Sequence, residues 1–262
     1  MKNYKIFGPL LVLAALLNWA PALGWGAKGH NAIAHIAQAH LTHRTQREVT
    51  RLLEGYNMAY WSAWADGLRD DHRYDIFSSW HYANADDGFT YASSPKNPNG
   101  DVYTAVTHCV EQLSSRETSD TLKGLYLKLL IHFVGDMHCP MHAGHLGDRG
   151  GNNHEVEFFG AGSNLHRLWD NQIVDSARPW SGLEWAWNID RRMSRDARRK
   201  LVAGTPLDWM EETVALAQTL YTATPEGSNV SWSYVNRYSP LVEQKFLTAG
   251  HRLAHLLNQI FG

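Results

Sequence analysis

The chain has 262 residues, a formal net charge of −2 and 19% charged residues. That balance excludes a molecule that holds nucleic acid through its overall electrostatics. With only two cysteines it is not a disulfide scaffold, so its stability cannot rest on cross-links.

Residues 1–24 read as a secretory signal. Lys2 and Lys5 form a basic start and an apolar run covers 6–17. Small residues at Ala22 and Gly24 then place a cleavage site before Trp25. The apolar run is too short for a membrane span, and no later segment approaches the roughly 18 apolar residues a span needs. Residues 25–262 are therefore expected to form one soluble domain. Sparse cysteine use suits a bacterial periplasm. Cys109 and Cys139 form either one disulfide or two separate buried thiols.

Most of the mature sequence has helical character. Helices are expected over 27–41, 44–54 and 62–70, then a loop at 95–100, where two prolines, two asparagines and a glycine cluster. Longer helices follow over 101–115 and 120–138, the second capped by Ser119-Asp120 and carrying an apolar stripe of Leu122, Leu125, Leu129 and Phe133. A glycine-rich loop covers 147–153, and alternation over 154–159 suggests a short strand. Helices are expected again over 164–176, 207–223 and 239–260. The fold class is all-α, a single multi-helix domain with at most a small β-hairpin. The basic run 191–200 is either a solvated helix face or a phosphate-attracting rim. The sequon Asn229-Val230-Ser231 is relevant only in a host that glycosylates.

The chemistry concentrates in HFVGDMHCPMH, residues 132–142. His132 and Asp136 stand four residues apart and share a helix face. His138 points about 240° away from His132. Pro140 disfavours helix at Cys139 and lets the chain turn, so His142 faces a new direction. SNLHRLWD, residues 163–170, repeats the pair with His166 and Asp170. Imidazole and carboxylate are zinc donors, and two such pairs point to more than one metal ion and hence to hydrolysis.

With its flanking motifs, the chain resembles the zinc-dependent single-strand nucleases of the mung-bean-nuclease type, the S-one/P-one family. That family shares a superfamily with zinc phospholipase C. The resemblance rests on WGAKGH (25–30), WADGLR (64–69), WHY (80–82), HFVGDMHCPMH, GDRGGN (147–152), SNLHRLWD and the closing AGHRLAHLLN (249–258). It implies three zinc ions. Asp66, His81, His132 and Asp136 would hold the first, and His142, His166 and Asp170 the second. The α-amine and carbonyl of Trp25, with His30 and a bridging Asp136, would hold the third. The third site requires the export cut before Trp25. The resemblance also gives Asp66 a part in orienting the nucleophile and Arg69 a part in neutralising the phosphoryl group. Tyr82 would stack on a base and Asn84 would contact its edge. The activity implied is hydrolysis of single-stranded DNA and RNA to 5′-phosphorylated nucleotides, with 3′-nucleotidase activity, by a secreted or periplasmic monomer. His35, His40, His43, His72, His108, His138, His145, His154, His251 and His255 match no ligand position. The weighed alternatives are a phospholipase C on the same scaffold and a non-catalytic zinc-binding protein. Asp170, where the phospholipases carry glutamate, and Arg69 favour the nuclease.

Overall fold

The computed structural model describes residues 25–68, 71–191 and 193–262. The segment read as a signal, and Arg69, lie outside the described residues. Eleven α-helices are present among the described residues: α1 (Ala27–Ala39), α2 (His43–Leu52), α3 (Met58–Trp61), α4 (Val102–Ser114), α5 (Asp120–Met137), α6 (Leu165–Arg167), α7 (Ile173–Ala177), α8 (Gly182–Asp190), α9 (Arg195–Leu201), α10 (Pro206–Ala223) and α11 (Trp232–Phe261). Short 3-10 segments cover Trp64–Leu68, His72–His81 and Pro140–Ala143, and a π-helical turn covers Leu168–Gln172.

The architecture is all-α. The helix cores at 27–39, 102–114, 120–137 and 206–223 agree with the periodicity of the sequence to within a few residues. Side-chain caps account for several starts: Ser119 accepts from the Leu122 N–H, and Asp101 and Thr205 each complete a capping box. The strand at 154–159 is β1 (Glu155–Phe158), in an antiparallel hairpin with β2 (Ala161–Asn164). A further two-residue strand, β3 (Asn229–Val230), pairs parallel to β1, so the sheet is one strand larger than a hairpin.

Other elements differ from expectation. The helix expected over 62–70 is a 3-10 turn from Trp64 to Leu68, preceded by the four-residue α3. The segment His72–His81 is two 3-10 stretches meeting at a kink at Tyr74. Such stretches carry no 3.6-residue signature. The last helix starts at Trp232 rather than 239, and Pro240 sits inside it. Proline removes one helical hydrogen bond. Burial of Tyr234, Val235 and Tyr238 holds the preceding turns in place, and the Tyr234 hydroxyl bonds Thr224 Oγ1 at 2.7 Å and accepts from Trp169 Nε1 at 3.2 Å. Residues 195–200 of the basic run fall on α9, which buries no residue.

The core is one cluster, with α1 packed on α8 and α11, and α4 packed on α5. Its largest members include Trp25, Trp169, Trp185, Trp209, Phe133 and Phe246. Cys109 and Cys139 are separate buried thiols, so no disulfide joins them. No helix among the described residues is long and apolar enough to cross a membrane.

Candidate metal centre

Helix α5 delivers His132 and Asp136 into the core, both fully buried. Four residues of spacing place them on one face, with His132 Nε2 3.0 Å from Asp136 Oδ2. The 3-10 stretch ending at His81 brings that ring alongside. His81 Nδ1 lies 2.9 Å from Asp136 Oδ2 and 3.1 Å from His132 Nε2. Asp66 enters from the 64–68 turn, its Oδ1 3.6 Å from His132 Nε2 and 4.0 Å from His81 Nδ1. The four residues expected to share one ion thus converge.

His30 comes from the first turn of α1. It stacks on His132 with ring centroids 4.1 Å apart, and its Nε2 is 3.2 Å from Asp136 Oδ1. Gly135 makes this approach possible, because a Cβ there would stand 2.6 Å from His30 Nδ1. Trp25 is fully buried, with its ring edge-on to Phe246. The next N–H, of Gly26, donates to the Asp170 carbonyl at 2.9 Å, which ties this end of the described chain to the second ligand group.

That second group lies beyond Pro140. His142 sits on the 3-10 turn that Pro140 opens, and Asp136 Oδ1 is 3.6 Å from His142 Nδ1. His166 Nε2 and Asp170 Oδ2 are 2.9 Å apart. The segment carrying Asp170 winds as a π-turn, a local widening frequent at functional sites. Cys139 joins this group, its thiol donating to Asp170 Oδ1 at 3.1 Å. In the sequence Cys139 signalled only a possible disulfide. The turn forced by Pro140 was the available hint that residue 139 faces inward.

Several imidazoles are oriented by one ring nitrogen, which leaves the other aimed at the cluster. His132 Nδ1 donates to the Ser62 carbonyl at 2.8 Å and His166 Nδ1 to the Gly150 carbonyl at 2.6 Å. His142 Nδ1 donates to the His81 carbonyl. His142 Nε2 and His30 Nδ1 are buried and make no hydrogen bond. Buried polar atoms without partners are costly, and a metal ion satisfies them. The donor set of imidazoles and carboxylates fits zinc.

Charge in the cluster is finely set. Burial alone would raise Asp136, but the imidazoles of His132 and His142 hold it well below the carboxylate range. Burial lowers His142 to about 3 and raises Asp170 to about 6. Burial also opposes charge on His132, yet Asp136 and Asp66 outweigh it and lift that ring to about 9.

His138, inside the same motif, points elsewhere. Its Nδ1 donates to the Val134 carbonyl at 2.7 Å and its Nε2 accepts from Arg252 at 3.0 Å. Burial, then Arg252, pushes this ring well below its usual range, so it stays neutral.

A cleft of about 580 Å³ opens beside the cluster, lined in part by His81, Tyr82, Asn84, His142, Arg149 and His166. That size suits a nucleotide-sized ligand. Residues 83–85 are held against the 142–144 turn, with the Ala83 N–H on the His142 carbonyl at 2.7 Å and the Ala85 N–H on the Gly144 carbonyl at 3.2 Å. Tyr82 is 38% exposed, so it is not a core aromatic. Asn84 Nδ2 donates to the Gly144 carbonyl at 2.9 Å and reaches the His145 carbonyl at 3.4 Å. Arg149 and Lys96 on the lining were not picked out from sequence. Arg149 follows Asp148 in the glycine-rich loop, which the Tyr221 hydroxyl pins by donating to Asp148 Oδ1 at 2.9 Å.

A family model described as S1/P1 Nuclease matches residues 25–262. Endonuclease 4 of Arabidopsis thaliana is 30% identical over 97% of this chain and 94% of its own length. Nuclease S1 of Aspergillus oryzae is 23% identical, covering 90% of this chain and 92% of its own. Nuclease P1 of Penicillium citrinum is 24% identical, covering 91% and 98%.

Proposed function

The chain belongs to the S1/P1 nuclease family, and from that premise we propose that it is an exported zinc-dependent phosphodiesterase. It cleaves single-stranded DNA and RNA to 5′-phosphorylated nucleotides and removes 3′-phosphates from nucleotides. The observation that carries the reading is the convergence of Asp66, His81, His132 and Asp136 with His30 on one side and His142, His166 and Asp170 on the other, beside an open cleft.

Three zinc ions would be held as the family resemblance implies: one by Asp66, His81, His132 and Asp136, one by His142, His166 and Asp170, one by Trp25, His30 and Asp136. Zinc bound there supplies positive charge to the phosphate oxygens and lowers the pKa of a water it holds to roughly 7. Asp66, at the edge of the cluster, accepts a hydrogen bond from the attacking water and orients it. Arg69, outside the described residues, neutralises the phosphoryl oxygens with its planar fork. Lys96 and Arg149 on the cleft wall draw in the anionic backbone.

Tyr82 stacks on a base, which needs a base free of its duplex neighbours and so favours single strands. With its amide hydrogens turned toward backbone carbonyls, Asn84 presents Oδ1 to the base edge. It acts there as an acceptor, as an aspartate would. Export with cleavage before Trp25, and action as a monomer, complete the proposal.

The test offers zinc-loaded mature protein single-stranded DNA, RNA, a 3′-nucleotide and phosphatidylcholine side by side. Release of 5′-phosphorylated products from the nucleic acids supports the reading. Hydrolysis of the lipid alone would make it a phospholipase, and inactivity on all four with zinc bound would make it a binding protein.

A further inference from the structure

Away from the catalytic centre, His40, Asp190 and His251 meet at a point that no catalytic role requires. His40 Nε2 lies 2.6 Å from Asp190 Oδ2, and His251 Nε2 lies 2.9 Å from Asp190 Oδ1. The two rings stack with centroids 4.3 Å apart, tilted by 34°. One donor atom from each residue falls in a group whose members all lie within 4.8 Å of one another. We propose that these three side chains form a further site for a divalent ion of the zinc class, separate from the catalytic cluster.

The donor chemistry sets the ion. Two imidazoles and one carboxylate favour zinc and its transition-metal neighbours over calcium or magnesium, which prefer oxygen. Zinc bonds of about 2.0–2.1 Å put tetrahedral ligand atoms roughly 3.3 Å apart, so the 2.6 and 2.9 Å contacts need open only by a fraction of an ångström to admit an ion. In the tautomer carrying its proton on Nδ1, each ring aims an Nε2 lone pair at the shared point. The side-chain exposures of 20% for His40, 13% for Asp190 and 5% for His251 leave the site open on one side, where water completes the shell.

The fold prepares this place independently of the side chains. Helix α1 ends at Ala39 with His40 as its cap, and α8 ends at Asp190 itself, so two helix C-termini converge on it. Such ends carry partial negative charge and favour a cation. The nearby Arg191 guanidinium is drawn over the Trp187 ring, 4.4 Å from its centroid. Gly250 lets α11 press on α1, since a Cβ there would stand 2.5 Å from Ile36 Cγ2, and this brings His251 to His40. Asn258 fixes the chain around His40 by bonding the His40 carbonyl at 3.0 Å and the Thr42 N–H at 2.8 Å. His40 follows His30 by ten positions, about 15 Å along the helix, so the two metal sites sit at opposite ends of α1. An ion here fastens α1, α8 and α11 together.

The experiment equilibrates zinc-loaded mature protein in micromolar zinc and counts zinc per chain, with His40→Gln and Asp190→Asn beside the parent. Each variant is expected to hold one zinc fewer and to cleave nucleic acid at the parent rate. Crystals of the parent should show an anomalous peak at the zinc edge between the three side chains, a readout that needs no variant to fold. Equal zinc content in parent and variants, or no peak, overturns the site and leaves a hydrogen-bonded staple. A parent inactive on nucleic acid whose variants still lose one zinc would defeat the functional reading and leave this site standing.

Discussion

His30 and His132 stack face to face, 4.1 Å between centroids and 16° from parallel, although they come from different helices. Burial first, then the neighbouring His132, lowers His30, while Asp136 and Asp66 overcome burial to raise His132 to about 9. Two like rings thus sit in contact around one carboxylate with opposite proton affinities. A metal ion held by both rings, as proposed, would replace that arrangement.

Gly135 sets the spacing of this stack. Gly135→Ala places a methyl 2.6 Å from His30 Nδ1 and must push the ring away. We expect a loss of about 10–100-fold in zinc affinity with the helical content intact. Competition titration against a chelating dye, with circular dichroism alongside, checks both halves.

Asp136 connects the ligand groups. Asp136→Asn keeps its shape and removes the charge, so activity should fall more than about 100-fold, beyond the loss typical of supporting residues. Stripping zinc with a chelator should lower the Tm of the parent by on the order of 10 °C, since an ion at a thousandfold its Kd adds about 4 kcal/mol. An unchanged Tm after verified zinc removal would contradict a metal-organised core.

Cys139 donates its S–H to Asp170 Oδ1. Cys139→Ser retains a donor and should keep zinc affinity within a few-fold of the parent. Cys139→Ala removes it, and the loss of about 1 kcal/mol corresponds to roughly a fivefold weaker second ion. Cobalt substitution separates this positioning role from direct ligation: a sulfur-to-cobalt charge-transfer band in the parent would make Cys139 a ligand.

Lys245 lies on α11 and is 9% exposed. Burial lowers its ammonium to about 8 from 10.5, against the pull of Glu212. The unfolded chain binds that proton between pH 8 and 10.5 where the folded chain does not, so stability rises with pH across this window. The cost is fully present below pH 8. Lys245→Met should remove the slope and stabilise the protein at pH 7 by up to about 3 kcal/mol. Urea denaturation at pH 7 and pH 10 reads both effects.

One extra residue before Trp25 should abolish most activity. The proposed site uses the free α-amine of Trp25 as a ligand, and an added residue turns that amine into an amide that no longer binds zinc, while the Gly26 N–H holds this end of the chain on the Asp170 carbonyl. Full activity and full zinc content in that variant would remove Trp25 from the proposed ligand set.

What could be seen in the sequence followed helical spacing. His132 with Asp136, and His166 with Asp170, are local pairs, and periodicity located the helices that carry the first of them. Pro140 foretold the turn that redirects His142. Local pattern said nothing about Asp66 and His81, which ride on 3-10 segments without amphipathic period, and only the family resemblance singled them out. Cys139, Lys96 and Arg149 were missed because their relevance is a matter of tertiary placement. His40 and His251 matched no ligand pattern, since Asp190 joins them from a helix far from both in sequence.

The seating of Trp25 against Phe246 has a consequence for how the molecule comes into being. Trp25 is covered by the last helix, so its resting place does not exist until nearly the whole polypeptide has been made. A chain made from its N-terminus must therefore wait, with Trp25 unhoused, for α11 to arrive. Long-range closure of this kind is slow to form. On the proposed ligand set, which includes Trp25, the metal centre is completed only at the end of folding.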